Sequence, residues 1–180
     1  MSPPKICIVA PWALLVVLAL CSIVVDATVV STCKAATSSD KRVNYDFCVL
    51  ELSKHHDSPD ADTWGLAKVA TGVGAGNAED AVADIKAMLA KPGMDGKTRA
   101  ALGQCQKLYN DVDFAFLGAH DTINDRNYKA GKEQVGVAIS LAHQCDYVFA
   151  KAGIQSPLTQ YSSDTVKIGI ICVAITDLIK

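Results

Sequence analysis

Two long segments in the second half of the chain carry apolar residues at alternating steps of three and four positions. The apolar positions of the first segment are Leu102, Cys105, Tyr109, Val112, Phe116 and Ala119, and those of the second are Tyr128, Val135, Ala138, Ala142, Cys145 and Phe149. Such spacing is typical of amphipathic helices that bury one face in a core. Because the polar stretch 124–127 between them has turn chemistry, the two helices are predicted to run antiparallel.

The cysteine positions fit this arrangement. Cys105 and Cys145 lie at equal sequence distances from Asp125, at the centre of the turn, so they are placed at the same height on neighbouring helices. Cys33 and Cys48 are placed almost evenly about a second polar turn. Four cysteines allow three pairings, and symmetry favours Cys33–Cys48 and Cys105–Cys145.

Two further helices are predicted from their start signals. Ser58-Pro59 and Ser156-Pro157 each combine a capping residue with proline at the first helical position. The first of these helices is expected to run from about Asp60 towards Lys91, with a kink or local break at residues 72–76, where three glycines lie close together. The predicted fold class is therefore all-α: an up-and-down four-helix bundle, preceded by a disulfide-closed helical hairpin over about residues 29–54.

The N-terminus has the organisation of a secretory signal peptide. The stretch between Lys5 and Asp26 has no charge, and small residues precede a predicted cleavage after Ala27. We therefore expect residues 1–27 to be a signal peptide and residues 28–180 to be the mature domain, with no membrane association after cleavage. An uncleaved signal anchor is the alternative. Cleavage leaves five cysteines, of which Cys172 is predicted to be a buried free thiol.

Composition narrows the class of function. Basic residues number 17 and acidic residues 19, and the net charge of −2 gives no basis for nucleic-acid binding. His55 and His56 are adjacent, and neighbours on a helix point to different sides, so they are predicted to be a poor metal pair and to lie at the exposed end of the hairpin. Three aspartates of one predicted helix are expected to form a solvated face: Asp111, Asp113 and Asp121. No catalytic motif is found, so we expect no enzyme activity, no metal and no cofactor.

Several short motifs resemble a known family. They are Thr32-Cys33-Lys34, Asn44-Tyr45-Asp46-Phe47-Cys48-Val49 with Leu52, Cys105-x-x-Leu108-Tyr109, Cys145 and Ser156-Pro157-Leu158-Thr159. In this order they resemble the plant invertase and pectin methylesterase inhibitor family, and the second motif is particularly similar to its plane-tree pollen allergen branch, described as invertase inhibitors. The resemblance implies a four-helix bundle with an N-terminal hairpin and the same two disulfides. It also implies a secreted protein without catalytic activity that binds a plant carbohydrate-active enzyme in a one-to-one complex and occludes its substrate cleft.

One departure from the family pattern concerns the target-binding element. Invertase inhibitors of this family carry Pro-Lys-Phe where this chain has Arg126-Asn127-Tyr128. Tyr128 is either an aromatic anchor for a target or only the first member of an apolar stripe. Pectin methylesterase and invertase are therefore both candidate partners. The alternative is a non-inhibitory extracellular binding or pollen-allergen-like protein on the same scaffold. The expected location is the apoplast, with the vacuole as a second candidate compartment.

Overall fold

Six α-helices make up the fold of the described part of the chain. The structure is a computed structural model that describes residues 28–180, so the predicted signal peptide and its cleavage site lie outside the described residues. In chain order the elements are α1 (28–39), α2 (Tyr45–Ser53), a 3₁₀ turn (Ser58–Asp60), α3 (Thr63–Leu89), α4 (Gly96–Asn124), α5 (Tyr128–Ala152) and α6 (Thr159–Asp177). Residues 28–180 include no β-strand, so the predicted all-α class is confirmed.

The last four helices form the predicted up-and-down bundle. α4 packs against α3 and α5, and α6 closes the bundle by packing against the same two helices. The apolar stripe of α4 is fully buried, as is that of α5 after its first residue, Tyr128, which is only half-buried. The short helix α2 rests against α3 and α6. Within residues 28–180, no helix has both the length and the apolar character needed to cross a membrane.

Two disulfides join neighbouring helices, and they are the pairs that the spacing predicts. Cys33–Cys48 links α1 to α2 with a Cα–Cα distance of 5.9 Å, and Cys105–Cys145 links α4 to α5 at 5.0 Å. Closing loops of 15 and 40 residues stabilises the fold by about 3 and about 4 kcal/mol respectively on the chain-entropy model. Cys172 is a free thiol with no exposed surface, and burial raises its pKa to about 12.

The local break that was one of the two alternatives predicted for the third helix does not occur. α3 is helical throughout residues 72–76, and its buried face continues through small side chains rather than stopping there. These include Ala67, Ala70, Ala78 and Ala81, all fully buried. Gly74 belongs to the same face, because a Cβ at this position would lie 2.6 Å from the ring of Phe116 on α4. A search for large apolar residues alone misses this face.

The predicted helix starts are displaced by a few residues. The Asp62 side chain caps α3 by accepting a hydrogen bond from the Gly65 N–H at 2.8 Å, and Ser58-Pro59 begins the preceding 3₁₀ turn instead. Ser156 accepts a hydrogen bond from the Leu158 N–H, and α6 begins one residue later. In both cases the Ser-Pro dipeptide forms the turn that leads into the helix.

Candidate functional site

The turn between α4 and α5 has a distinctive backbone. Arg126 has a φ of +62°, the left-handed region that side chains other than glycine seldom adopt. Its N–H donates to the Ile123 carbonyl at 3.0 Å, and the next N–H, of Asn127, donates to the Thr122 carbonyl at 2.8 Å. These bonds satisfy two of the four carbonyl groups that have no partner within the helix at the end of α4. The turn therefore presents the Arg126 side chain from a defined backbone position.

A tryptophan from another helix organises the side chains of this turn. The Arg126 guanidinium carbon lies 4.1 Å from the centroid of the Trp64 ring, and the Lys68 ammonium lies 3.7 Å from it. The Trp64 ring N–H donates to the Ile123 carbonyl at 3.0 Å, which anchors the ring against the end of α4. Cation–π contacts of this kind contribute about 0.5–1 kcal/mol each at exposed positions.

Further hydrogen bonds join these side chains into one unit, which we call the turn cluster: Trp64, Lys68, Asn124, Arg126 and Tyr128. Lys68 donates to the Asn124 side-chain oxygen at 3.2 Å, and Arg126 donates to the Tyr128 hydroxyl at 3.1 Å. The turn cluster thus combines two positive charges with two aromatic rings at one end of the bundle. Such a surface can bind carboxylates and carbonyl groups of a partner and can cover an apolar area with little ordering cost.

The three residues that the sequence predicts as target-binding have different surroundings. Arg126 is exposed and contacts Tyr128, whose ring is half-buried against the core. Asn127 is exposed, but its side-chain oxygen accepts a hydrogen bond from the Ala130 N–H at 3.4 Å and so caps α5. The structure therefore brings Arg126 and Tyr128 together and gives Asn127 a role in the helix start. Their contact with a target remains a prediction.

Sequence reasoning missed Trp64 and Lys68. They lie one turn apart at the beginning of α3, and α3 packs against α4. Because the two helices run antiparallel, the beginning of α3 lies beside the end of α4. The sequence does show an aromatic and a basic residue one turn apart at this position. It does not show their contact with the turn, because that contact depends on how α3 packs against α4.

A second feature that was missed is a set of large apolar side chains on the outer face of the α4–α5 pair. Phe114 on α4 and Val137 on α5 are 69% and 52% exposed, and we call them the exposed strip. Leu117, 46% exposed, lies further round α4 towards α3, on the side of Asp113 and His120. Gly118 lies directly against Gln134, because a Cβ on this glycine would be 2.2 Å from the Gln134 side-chain oxygen. Phe114 is one turn from Gly118, and Val137 is one turn from Gln134 in the matching direction, so both flank the same seam. Exposed apolar side chains on either side of a seam between helices are available for contact with a partner.

Two predictions about polar residues need correction. His55 and His56 follow the end of α2 rather than lying on a helix, and their rings stack with centroids 4.6 Å apart. The reason given for rejecting them as a metal pair therefore does not apply.

Asp113 does not belong to a fully solvated face, because one of its carboxylate oxygens is buried without a hydrogen-bond partner. This burial, followed by the charge of Glu79, raises the pKa of Asp113.

Comparisons with known proteins give a consistent result over most of the chain. The family model described as plant invertase/pectin methylesterase inhibitor matches residues 27–175. The chain is 53% identical over 157 residues to "Pectinesterase inhibitor 8" of Oryza sativa subsp. japonica, covering 87% of this chain and 85% of that protein. It is 29% identical over 164 residues to the "Putative invertase inhibitor" of Platanus acerifolia, covering 90% of this chain and 91% of that protein. A crystal structure of a mutant form of a pectin methylesterase inhibitor from Arabidopsis is similar in fold. It has a TM-score of 0.68 and 18% identity, covering 82% of this chain and 97% of that one.

Proposed function

The chain belongs to the plant invertase/pectin methylesterase inhibitor family, and we propose that it inhibits a plant pectin methylesterase by covering the enzyme's substrate cleft. The observation that carries this proposal is the 53% identity, over 157 residues, to a protein named as a pectinesterase inhibitor. The resemblance predicted pectin methylesterase and invertase equally. The lower identity of 29% to a protein named as an invertase inhibitor favours the first. We propose that the chain acts as a binding protein and catalyses no reaction itself.

The departure at the α4–α5 turn supports the same choice of target. The Pro-Lys-Phe element, which the resemblance associates with invertase binding, is replaced here by Arg126-Asn127-Tyr128. In this chain the arginine is held by Trp64 and Tyr128 rather than extended freely into solvent. Arg126 therefore contributes a charged group that lies flat against Trp64, which differs in shape and charge position from a proline-lysine pair.

We propose the outer face of the α4–α5 hairpin as the surface that contacts the enzyme. It includes the turn cluster at one end and the exposed strip along the seam. The Cys105–Cys145 disulfide holds the two helices in a fixed register, so this surface is formed before binding. A preformed surface loses less conformational entropy on association than a mobile one.

We further propose that the protein is secreted, with residues 1–27 removed, and acts in the apoplast. Its two disulfides are of the kind that persist in an oxidising compartment. The expected complex has one inhibitor for each enzyme molecule, because the chain has one α4–α5 hairpin and the proposed mechanism occludes a single cleft.

Side-by-side inhibition assays test the proposed function. The purified disulfide-bonded protein is titrated against a plant pectin methylesterase and against an acid invertase under the same conditions. We expect pectin methylesterase activity to fall to its minimum near one equivalent and invertase activity to stay unchanged. No inhibition of pectin methylesterase at equimolar excess would contradict the proposal and would favour the non-inhibitory alternative. Inhibition of invertase alone would show that invertase, and not pectin methylesterase, is the target.

Paired variants test the proposed surface. Replacing Arg126 and Tyr128 together by alanine removes the guanidinium group and the phenol ring from the turn cluster. We expect this double variant to inhibit about tenfold more weakly or worse. The matched control is Arg42→Ala, since Arg42 is an exposed arginine in the loop between α1 and α2, paired with Asp40. This control should inhibit like the unmodified protein. An equal loss of inhibition in both variants would show that the turn cluster is not the specific contact with the enzyme.

A further inference from the structure

Three of the four histidines of the chain line one cleft near the end of the bundle. His55 and His56 come from the linker after α2, and His120 comes from the last two turns of α4. The cleft has a volume of about 410 Å³, and Asp57 and Asp60 also line it. Imidazole and carboxylate groups are the ligands that zinc and related transition metals bind most readily in proteins besides thiolates.

The linker positions its first two histidines through backbone and buried hydrogen bonds. The His55 N–H donates to the Leu52 carbonyl at 3.2 Å, which continues the turn beyond α2. The buried Ser58 hydroxyl donates to the same carbonyl at 2.5 Å and ties the far side of the linker to the end of α2. The short loop between Leu52 and Ser58 therefore turns sharply, and the two imidazole rings stack on each other.

The ligand atoms of the linker lie close enough to share one ion. One nitrogen each of His55 and His56 and one carboxylate oxygen of Asp57 all lie within 4.8 Å of one another. The His56 Nε2 atom is 3.2 Å from an Asp57 oxygen. The His55 Nδ1 atom is 3.8 Å from the other oxygen and accepts a hydrogen bond from the Asp57 N–H at 3.3 Å, which an ion would have to displace. Metal–ligand distances near 2 Å require ligand atoms about 3.3 Å apart. Because each imidazole lone pair lies in its ring plane, the stacked rings must part before both can bind one ion. The His56 and Asp57 side chains are free to rotate, since 85% and 66% of their surfaces are accessible.

Within residues 28–180, the thiols do not compete for such an ion. Four of the five cysteines within residues 28–180 are joined in disulfides, and the fifth, Cys172, is fully buried against the bundle. Lys68 also lines the cleft, but its ammonium is directed to the Trp64 ring and the Asn124 side chain. Within the described residues, the linker is the one place where three potential metal ligands meet in this way.

We propose that His55, His56 and Asp57 form a binding site for a divalent transition-metal ion of the zinc class, with His120 facing the ion from across the cleft. Three protein ligands leave at least one coordination position for water or for a further group. The site does not depend on the proposed inhibition, and its test is independent of any enzyme assay.

Titration with Zn²⁺ tests the site directly. The probe is zinc chloride, added at pH 7.5 to the disulfide-bonded protein made without a histidine tag, and the heat of binding is measured by calorimetry. We expect one saturable site, and we expect His56→Gln or Asp57→Asn to weaken binding by about tenfold or more. His120→Gln should have a smaller effect in the same direction. Magnesium chloride should give no signal, because imidazole ligands discriminate against it.

The fourth histidine is the matched control. His143 lies on α5 and lines a different cleft, so His143→Gln should bind Zn²⁺ like the unmodified protein. Circular dichroism verifies that each variant is folded, which is expected because His56 and Asp57 are largely exposed. Binding that is absent, or that is equally strong in the unmodified protein and in both His56→Gln and Asp57→Asn, would overturn the proposal.

Discussion

The packing of α3 against α4 makes a sharp prediction about two glycines of one helix. Gly74 and Gly76 are two residues apart in α3, and both are helical. A Cβ at Gly74 would lie 2.6–2.7 Å from three ring atoms of Phe116, whereas a Cβ at Gly76 would meet no atom within 4 Å. Alanine at these two positions therefore changes helix propensity equally but packing very differently.

The magnitudes decide the sign of each effect. Replacing a helical glycine by alanine stabilises a helix by about 1 kcal/mol, so Gly76→Ala should raise the free energy of unfolding by about 0.5–1 kcal/mol. At Gly74 the same gain is opposed by overpacking, which costs about 1–3 kcal/mol in a filled core. The upper part of that range applies, because Phe116 is fully buried and cannot turn into solvent. Gly74→Ala should therefore lower the free energy of unfolding by about 1–2 kcal/mol.

Urea denaturation followed by circular dichroism measures both variants against the unmodified protein. The two midpoints should move in opposite directions. Gly74→Ala should lower the free energy of unfolding less in a Phe116→Leu background than in the unmodified protein, because the smaller leucine side chain leaves room for the added methyl group. If both glycine variants were stabilised, or if the double variant showed no coupling, the close approach of α3 and α4 at Gly74 would be refuted.

Three further predictions concern buried groups. Tyr109→Phe should raise the free energy of unfolding by about 1 kcal/mol in denaturant titrations, because the Tyr109 hydroxyl is buried without a hydrogen-bond partner; a loss of stability would show that the hydroxyl is satisfied. The raised pKa of Asp113 means that its native carboxyl holds a proton to higher pH than the unfolded chain, so this group stabilises less as pH rises through its native pKa. Asp113→Asn should therefore raise the melting temperature more at pH 7 than at pH 4, and an equal change at both would contradict the pKa direction. Replacing Cys105 and Cys145 together by alanine should lower the free energy of unfolding by about 4 kcal/mol on the chain-entropy model; a loss below about 1 kcal/mol would show that the cross-link contributes little.

Where a helix is amphipathic with large side chains, its sequence was sufficient to predict its place in the fold. The stripes of α4 and α5 have the same period as the helix, and their turn fixes which residues lie at the same height. The Cys105–Cys145 pair follows from those two facts alone. The buried face of α3 was harder to predict, because it consists largely of alanine and glycine, which are weakly hydrophobic. Its position becomes clear only from the packing of Gly74 against the Phe116 ring.

The candidate sites show the corresponding limit. Arg126 and Tyr128 could be found because they adjoin a turn that the pattern predicts. Trp64 joins them only through the packing of α3 on α4, and no local spacing reveals that contact. The argument from helix geometry did not apply to the histidine pair, because α2 ends at Ser53 and the two rings stack in the linker that follows. Metal binding at this pair therefore has to be tested by the titration proposed above.

Hydrogen exchange in the presence of the target tests the central claim most directly. The purified protein is exchanged alone and with an equimolar amount of pectin methylesterase, and protection is measured by peptide across residues 28–180. Binding through the α4–α5 hairpin predicts added protection in the peptides that contain the exposed strip and the 124–128 turn, with little change in α1 and α2. Protection confined to the α1–α2 hairpin, or an unchanged pattern in a mixture that shows no inhibition, would contradict the account.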